Sequence, residues 1–159
     1  NAGGTKEVNE NEPIVITASD ISEPALYNWY DENGNLIFQG KDLNVTTDIT
    51  KKYKLEVIAL SDGFKDYAEV EVKIKPSVIE SISPNPTSNN LNIQYKINGA
   101  SSAYLMIIDY YGSYTSNNYI LDINSNNVVL DISSFPASHY NVALICDGEI
   151  VDAKTLIKQ

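Results

Sequence analysis

From Ile14 onward the chain alternates apolar and polar residues with a period of two, the pattern of half-buried β-strands. Ile14, Ile16 and Ala18 make one face of a first strand. Leu26 to Tyr30 and Leu36 to Phe38 follow, separated by Asp31-Glu32-Asn33-Gly34-Asn35. The Asn-Gly in that segment supplies the positive φ angles of a tight hairpin turn. Tyr53, Leu55, Val57 and Ala59 share a face. Ala68, Val70, Val72 and Ile74 alternate with Glu69, Glu71, Lys73 and Lys75, which predicts a strand with one buried and one solvated face. No segment carries a helical period over a useful length.

Pro76 ends this first block, and Ser83-Pro84-Asn85-Pro86-Thr87-Ser88-Asn89-Asn90 opens a second. Its prolines lack the N–H that a central strand donates, so the segment reads as loop or edge. Leu91, Ile93, Tyr95 and Ile97 then alternate with Asn92, Gln94, Lys96 and Asn98. Ala103 to Ile108 is apolar at every position and predicts a central strand covered on both faces. Further strands are expected at Tyr119–Ile123, Val128–Ile132, Tyr140–Cys146 and Ile150–Ile157, with Asp147-Gly148 turning the last hairpin. Strands at roughly ten-residue spacing with turn signals between them define β-sandwiches. The expectation is an all-β chain of two tandem antiparallel β-sandwich domains, residues 13–76 and 77–159. Residues 1–12 read as a flexible polar lead, and a short connector near Lys75 to Ile79 limits the freedom between the domains.

Composition narrows the chemistry. The 159 residues carry a net charge of −10, and every basic residue is lysine. The deficit is shared: eight lysines against fourteen acids before Ser77, then three against seven. An acidic chain without arginine's planar fork is a poor match for phosphate, so nucleic acid is not an expected partner. No stretch approaches the ~20 consecutive apolar residues of a membrane span. The chain opens Asn-Ala-Gly-Gly without a signal peptide and reads as a piece of a longer or processed precursor.

One cysteine, Cys146, and one histidine, His139, leave no internal disulfide, no zinc-ligand spacing and no expected cofactor. They stand seven residues apart on one strand, and an odd separation puts them on opposite faces. Cys146 shares the core face of Tyr140, Val142 and Leu144 and reads as a small buried hydrophobe. His139 reads as a surface residue at the strand's start. No nucleophile-elbow serine, Gly-rich phosphate loop or HExxH is present. The chain is therefore read as no enzyme.

Trp29 in Tyr-Asn-Trp-Tyr, the Asp-Glu-Asn-Gly-Asn turn after it, and Tyr53 in Lys-Tyr-Lys-Leu-Glu-Val carry a resemblance over residues 13–75. This region resembles an immunoglobulin-like or PKD-like module, in which a tryptophan packs on the sandwich centre and a tyrosine sits at a corner. Leu55 stands where a disulfide cysteine would be. Two features have a second reading. Asp31, Asn33 and Asn35 offer oxygens at alternate residues, as in a calcium loop, but loop position twelve is Asp42 and not glutamate. Trp29 fits a core residue or a glycan-facing ring.

The second domain carries an ordered set of motifs. They are Ile82-Ser83-Pro84-Asn85-Pro86, Met106-Ile107-Ile108-Asp109-Tyr110-Tyr111-Gly112, Val128–Ile132 followed by Phe135-Pro136-Ala137, Tyr140-Asn141-Val142, Asp147-Gly148, and Lys154-Thr155-Leu156-Ile157-Lys158. Residues 78–159 thereby resemble the C-terminal sorting domain of type IX secretion cargo in Bacteroidetes, the type A or Por-secretion tail. Ser138-His139 stands where that family commonly has glycine. The resemblance implies a non-catalytic sorting signal, recognised by an outer-membrane translocon and removed by a sortase-like peptidase. It also implies a location outside the cell or on the outer-membrane surface of a Gram-negative bacterium. The candidate signal residues are Pro84, Asn85, Pro86, Tyr140, Asp147, Gly148, Lys154, Leu156 and Lys158. Lys154 and Lys158 are cationic handles or simply solvated lysines, and Pro84-Asn85-Pro86 is part of the signal or a plain turn.

The leading expectation is a spacer module followed by a sorting signal, with the activity upstream in a surface protein, a secreted peptidase or a glycosidase. The alternative is an adhesin-like or carbohydrate-binding module. Its motive is Tyr110, Tyr111, Tyr114 and Tyr119, clustered near one turn region, where exposed rings stack on sugars and buried rings merely pack.

Overall fold

A computed structural model describes residues 3–111 and 116–159, and its regular elements are all β-strands. The strands belong to two compact units, Asn1–Lys75 and Pro76–Gln159.

The first unit holds β1 (Thr5–Val8), β2 (Ile14–Thr17), β3 (Ala25–Tyr30), β4 (Leu36–Gln39), β5 (Asp42–Val45), β6 (Lys51–Ala59) and β7 (Lys65–Ile74). A five-stranded sheet in the order β1-β7-β6-β3-β4 lies over the pair β2-β5. The alternation of β6 and β7 decides which faces meet. Tyr53, Leu55, Val70 and Val72 point inward with Ile16 and Leu43 around Trp29, which is fully buried. The indole N–H still needs a partner there and donates to the Gly40 carbonyl at 3.0 Å. Gly40 sits at φ +144°, a conformation that strains other residues, and a Cβ on it would meet the Phe38 ring at 2.9 Å and push it aside.

The second unit holds β8 (Val78–Ser83), β9 (Asn90–Lys96), β10 (Ala103–Asp109), β11 (Ser116–Ile120), β12 (Asn127–Asp131), β13 (Ser138–Cys146) and β14 (Glu149–Lys158). A four-stranded sheet, β11-β10-β13-β14, faces a three-stranded one, β12-β9-β8. Leu91, Ile93 and Tyr95 from one sheet meet Leu105, Ile107, Val142, Leu144 and Leu156 from the other, all buried. The Tyr95 hydroxyl donates to the Asp122 carbonyl at 2.9 Å, so burying it strands no polar group.

Three expectations need correction. Residues 5–8 are not a flexible lead. They pair in parallel with Glu71–Ile74, and Val8 is buried, so β1–β7 is a parallel pair within a mainly antiparallel fold. β10 is central but covered on one face only. Ala103, Leu105 and Ile107 are in the core, whereas Tyr104, Met106 and Ile108 lie half-buried on the outer side of a two-layer sandwich. The expected connector ends too late, because Val78 and Ile79 already belong to β8 and Ile79 is core.

Candidate functional site

Asn85, Lys154, Leu156 and Lys158 lie on or against β14, the edge strand of its sheet. Its inner side pairs with β13 from Ser138↔Lys158 to Cys146↔Glu149. An unpaired outer side would leave a row of free N–H and C=O groups. The segment between β8 and β9 fills it. Asn85 Oδ1 accepts from the Ile157 N–H at 2.9 Å, and Asn85 Nδ2 donates to the Thr155 carbonyl at 2.9 Å. Two residues on, the Thr87 N–H donates to the Ile157 carbonyl at 3.0 Å, and the Thr87 carbonyl accepts from the Gln159 N–H at 2.8 Å.

A residue of a parallel strand lying opposite position j bonds the carbonyl of j−1 and the N–H of j+1. Thr87 does this with its main chain opposite Lys158, in a parallel bridge. Asn85 does it with its side chain opposite Leu156: the carboxamide stands in for a peptide group. Pro84 and Pro86 flank Asn85 and have no N–H to place. Further along the same strand, Asp152 Oδ2 accepts from the Ile79 N–H at 2.8 Å.

The last hairpin is fixed as firmly. Asp147 and Gly148 both take positive φ, +49° and +86°, as a two-residue turn of a twisted hairpin requires. The Asp147 carboxylate accepts from the hydroxyls and main-chain N–H groups of Ser101 and Ser102, at 2.8 to 3.3 Å. Those bonds, the Ser101 hydroxyl foremost, hold its pKa below the usual carboxylate value. Tyr140 is buried, donates its hydroxyl to the Pro136 carbonyl at 2.8 Å, and packs a tilted ring on Phe135. Leu156 is core.

The two lysines part company. Lys154 is exposed, but Lys158 is only 8% exposed and turns its amino group onto the Gln159 carbonyl, so it is no exposed handle. The physical reason is parity. Lys158 stands two residues from Leu156 and shares its inward face.

The tyrosines do not form a row. Tyr110 and Tyr111 are exposed at the end of β10, with rings 5.5 Å apart at 79°. Tyr111 also lies 5.8 Å from the exposed His139 ring. Tyr119 is half-buried against the core, and Tyr114 lies outside the described residues. In the first unit Trp29 is sealed in the core, which withdraws its ring from any glycan. The Asp31 carboxylate is taken up by its own turn. It accepts from the Asn33 N–H, the Asn35 N–H and Asn35 Nδ2 at 2.8 to 3.0 Å, and the Asn35 side chain leads in lowering its pKa. That is a hairpin cap with the geometry of an Asx turn. Cys146 is buried, and burial pushes its thiol pKa up, away from a reactive thiolate. Among the described residues no group of three metal-ligating side chains assembles, and no helix is long and apolar enough to cross a membrane.

Thr87 and Asp152 complete this edge, and Ser101 and Ser102 hold the turn of the last hairpin; the sequence pattern singles out none of the four as a candidate. Thr87 alone carried a usable signal, since its spacing of two from Asn85 gives both the same side of an extended segment.

The class these features define is a tandem β-sandwich protein whose second sandwich is closed along its last strand. Residues 81–159, within the second unit, match the family described as the secretion system C-terminal sorting domain. The chain is a secreted or cell-surface protein of a Gram-negative bacterium, and its tail engages the type IX secretion system. No curated protein matches the sequence. Among solved structures, a two-domain fibronectin type III segment of chicken tenascin is similar at 13% identity and a TM-score of 0.44, over 94% of this chain and 93% of that one. The three N-terminal domains of the bacteriophage RB49 outer capsid protein Hoc are similar at 11% identity and 0.41, over 98% and 66%. A Dscam structure is similar at 12% and 0.42, over 99% and 44%.

Proposed function

We propose that residues 77–159 are a sorting signal read as a folded sandwich by the outer-membrane translocon and then removed by a sortase-like peptidase. The first unit is a non-catalytic spacer ahead of it. The family match over residues 81–159 carries this reading. The geometry supports its form: of the candidate signal residues, Tyr140, Leu156 and Lys158 are buried, and Asn85 and Asp147 are spent on internal hydrogen bonds. Pro84, Asn85, Pro86, Asp147, Gly148 and Lys154 lie at the surface, within a receptor's reach, whereas Tyr140, Leu156 and Lys158 act on it only through shape.

The test is export in a host with type IX secretion. The full chain is placed behind a signal peptide and a fluorescent reporter, beside a version lacking residues 77–159. Surface or medium fluorescence with the full chain and periplasmic retention without the tail is the expected result; equal retention of both would sink the reading. The carbohydrate-binding alternative rests on Tyr110 and Tyr111, exposed by 69% and 72%. Rings set at 79° offer a sugar one face and one edge in place of a flat platform. A glycan screen with Tyr110→Ala and Tyr111→Ala decides it.

A further inference from the structure

We infer that Asn85 is a positioning residue for sorting: it acts through the last strand, whose outer edge it closes. The inference rests on the sorting reading above and deepens it.

Residues 155–158 of β14 are held on one side by Ser138–Asn141. On the other side they are held by two rungs, the Asn85 carboxamide and the Thr87 main chain. Thr87 is also anchored behind, its hydroxyl donating to the Asn90 carbonyl at 2.8 Å, and it is 3% exposed. The Asn85 rung is the one made by a side chain, so a substitution removes it without breaking the backbone. Its partners are 70 and 72 residues away, at the far end of the domain. Without it the Ile157 N–H and Thr155 carbonyl face outward unpaired, and the segment from Lys154 to Lys158 frays from its free side.

Chemistry specifies the residue. The position needs one donor and one acceptor on a short planar group. Aspartate keeps the acceptor for the Ile157 N–H but sets a second oxygen against the Thr155 carbonyl. Protonated aspartic acid restores donor and acceptor together.

The test uses the full chain, as wild type, Asn85→Ala and Asn85→Asp. Amide hydrogen exchange is followed at Ile157 and Gln159, and export is followed in the same type IX host. Losing one such bond is expected to speed exchange at Ile157 roughly five- to tenfold in Asn85→Ala, with the sandwich still folded. Asn85→Asp keeps the acceptor but sets an oxygen against the Thr155 carbonyl. Its protection at Ile157, relative to the intrinsic exchange rate, should therefore fall between wild type and Asn85→Ala at neutral pH. It should return toward wild type as the pH falls and the carboxyl protonates, a recovery that Asn85→Ala cannot show. Export of both variants should drop at a temperature where they remain folded. Unchanged exchange at Ile157, or an aspartate variant without the pH recovery, overturns the ladder. Faster exchange with undiminished export overturns the positioning role. Failure of the wild-type chain to export overturns the sorting reading instead, and the exchange data still decide the ladder.

Discussion

Replacing Glu56 removes the acceptor on which four side-chain donors of the first unit converge. Glu56 lies on β6 and is 8% exposed. Its Oε1 accepts from Asn28 Nδ2 at 3.1 Å and the Tyr30 hydroxyl at 3.2 Å, and its Oε2 from Lys65 Nζ at 3.0 Å and the Tyr67 hydroxyl at 3.2 Å. Glutamine keeps the first pair and turns an NH2 toward the second. The lysine side chain is half exposed and rehydrates, so its bond is worth ~1 kcal/mol, below the full value of a charged one. With the tyrosine bond the loss is about 1–2 kcal/mol, or roughly 5–10 °C in the melting temperature of a domain this size. Alanine also strands the Asn28 amide, which is 8% exposed, and costs about 3 kcal/mol in all. Trp29 is the chain's only tryptophan and lies in this unit's core, so its fluorescence reports the first unit's melting and not the second's. The pH dependence has a definite sign. Hydrogen bonds, that of Asn28 first, hold the Glu56 pKa below its ordinary value. The stabilisation is therefore fully present above the unfolded carboxyl value of about 4.3 and is lost as the pH falls through the lower folded value. Wild type and Glu56→Gln should converge in acid. Melting curves that coincide at pH 7, or a gap that widens in acid, would refute the reasoning.

The other predictions address the second unit. Leu156→Ala empties a fully buried site and should cost about 2–5 kcal/mol in denaturant unfolding; a loss under ~1 kcal/mol would remove Leu156 from the core. Cys146 should react with a thiol reagent at least about a hundredfold more slowly in the native chain than in denaturant, because burial both shields it and disfavours its thiolate. Labelling at the unfolded rate would contradict that burial. Lys154→Glu changes an exposed charge and should leave stability within ~0.5 kcal/mol while lowering export; unchanged export would end its role as a cationic handle.

What the sequence showed and hid follows from where each instruction is written. β7 and β9 were legible by their alternation, and β6 and β13 by alternation that passes into an apolar run ending at a turn; their faces fill the cores. β1 was hidden because Thr-Lys-Glu-Val offers one buried side chain, and its place comes from pairing with β7 more than sixty residues on. β8 was hidden for a different reason. A register shift between Ile79 and Ser81 breaks the period, so Ile79 and Ile82, three apart, both pack on the core. Tyr140, Asp147 and Gly148 were legible as positions, since turn chemistry and strand parity mark them. Their partners at Pro136, Ser101 and Ser102 were not, because capping oxygens and hydroxyls leave no period.

Asn85 shows why a residue can be singled out from the sequence while its bonding partners stay hidden. Local rules make Pro84-Asn85-Pro86 a break between strands, and nothing in them requires asparagine in the middle. The requirement comes from the opposite end of the domain, where Thr155 and Ile157 expose one acceptor and one donor across an otherwise open edge. An aliphatic residue at 85 would preserve the turn and lose the rung. Lys158 follows the same logic in reverse. Its charge suggests the surface, while its parity with Leu156 turns it inward. Under the proposed sorting function, substitutions at the buried Tyr140, Leu156 and Lys158 would act through the fold, whereas those at the exposed Lys154 would act on the surface directly. Stability and export measured on the same variants separate the two routes, because only the first moves both together.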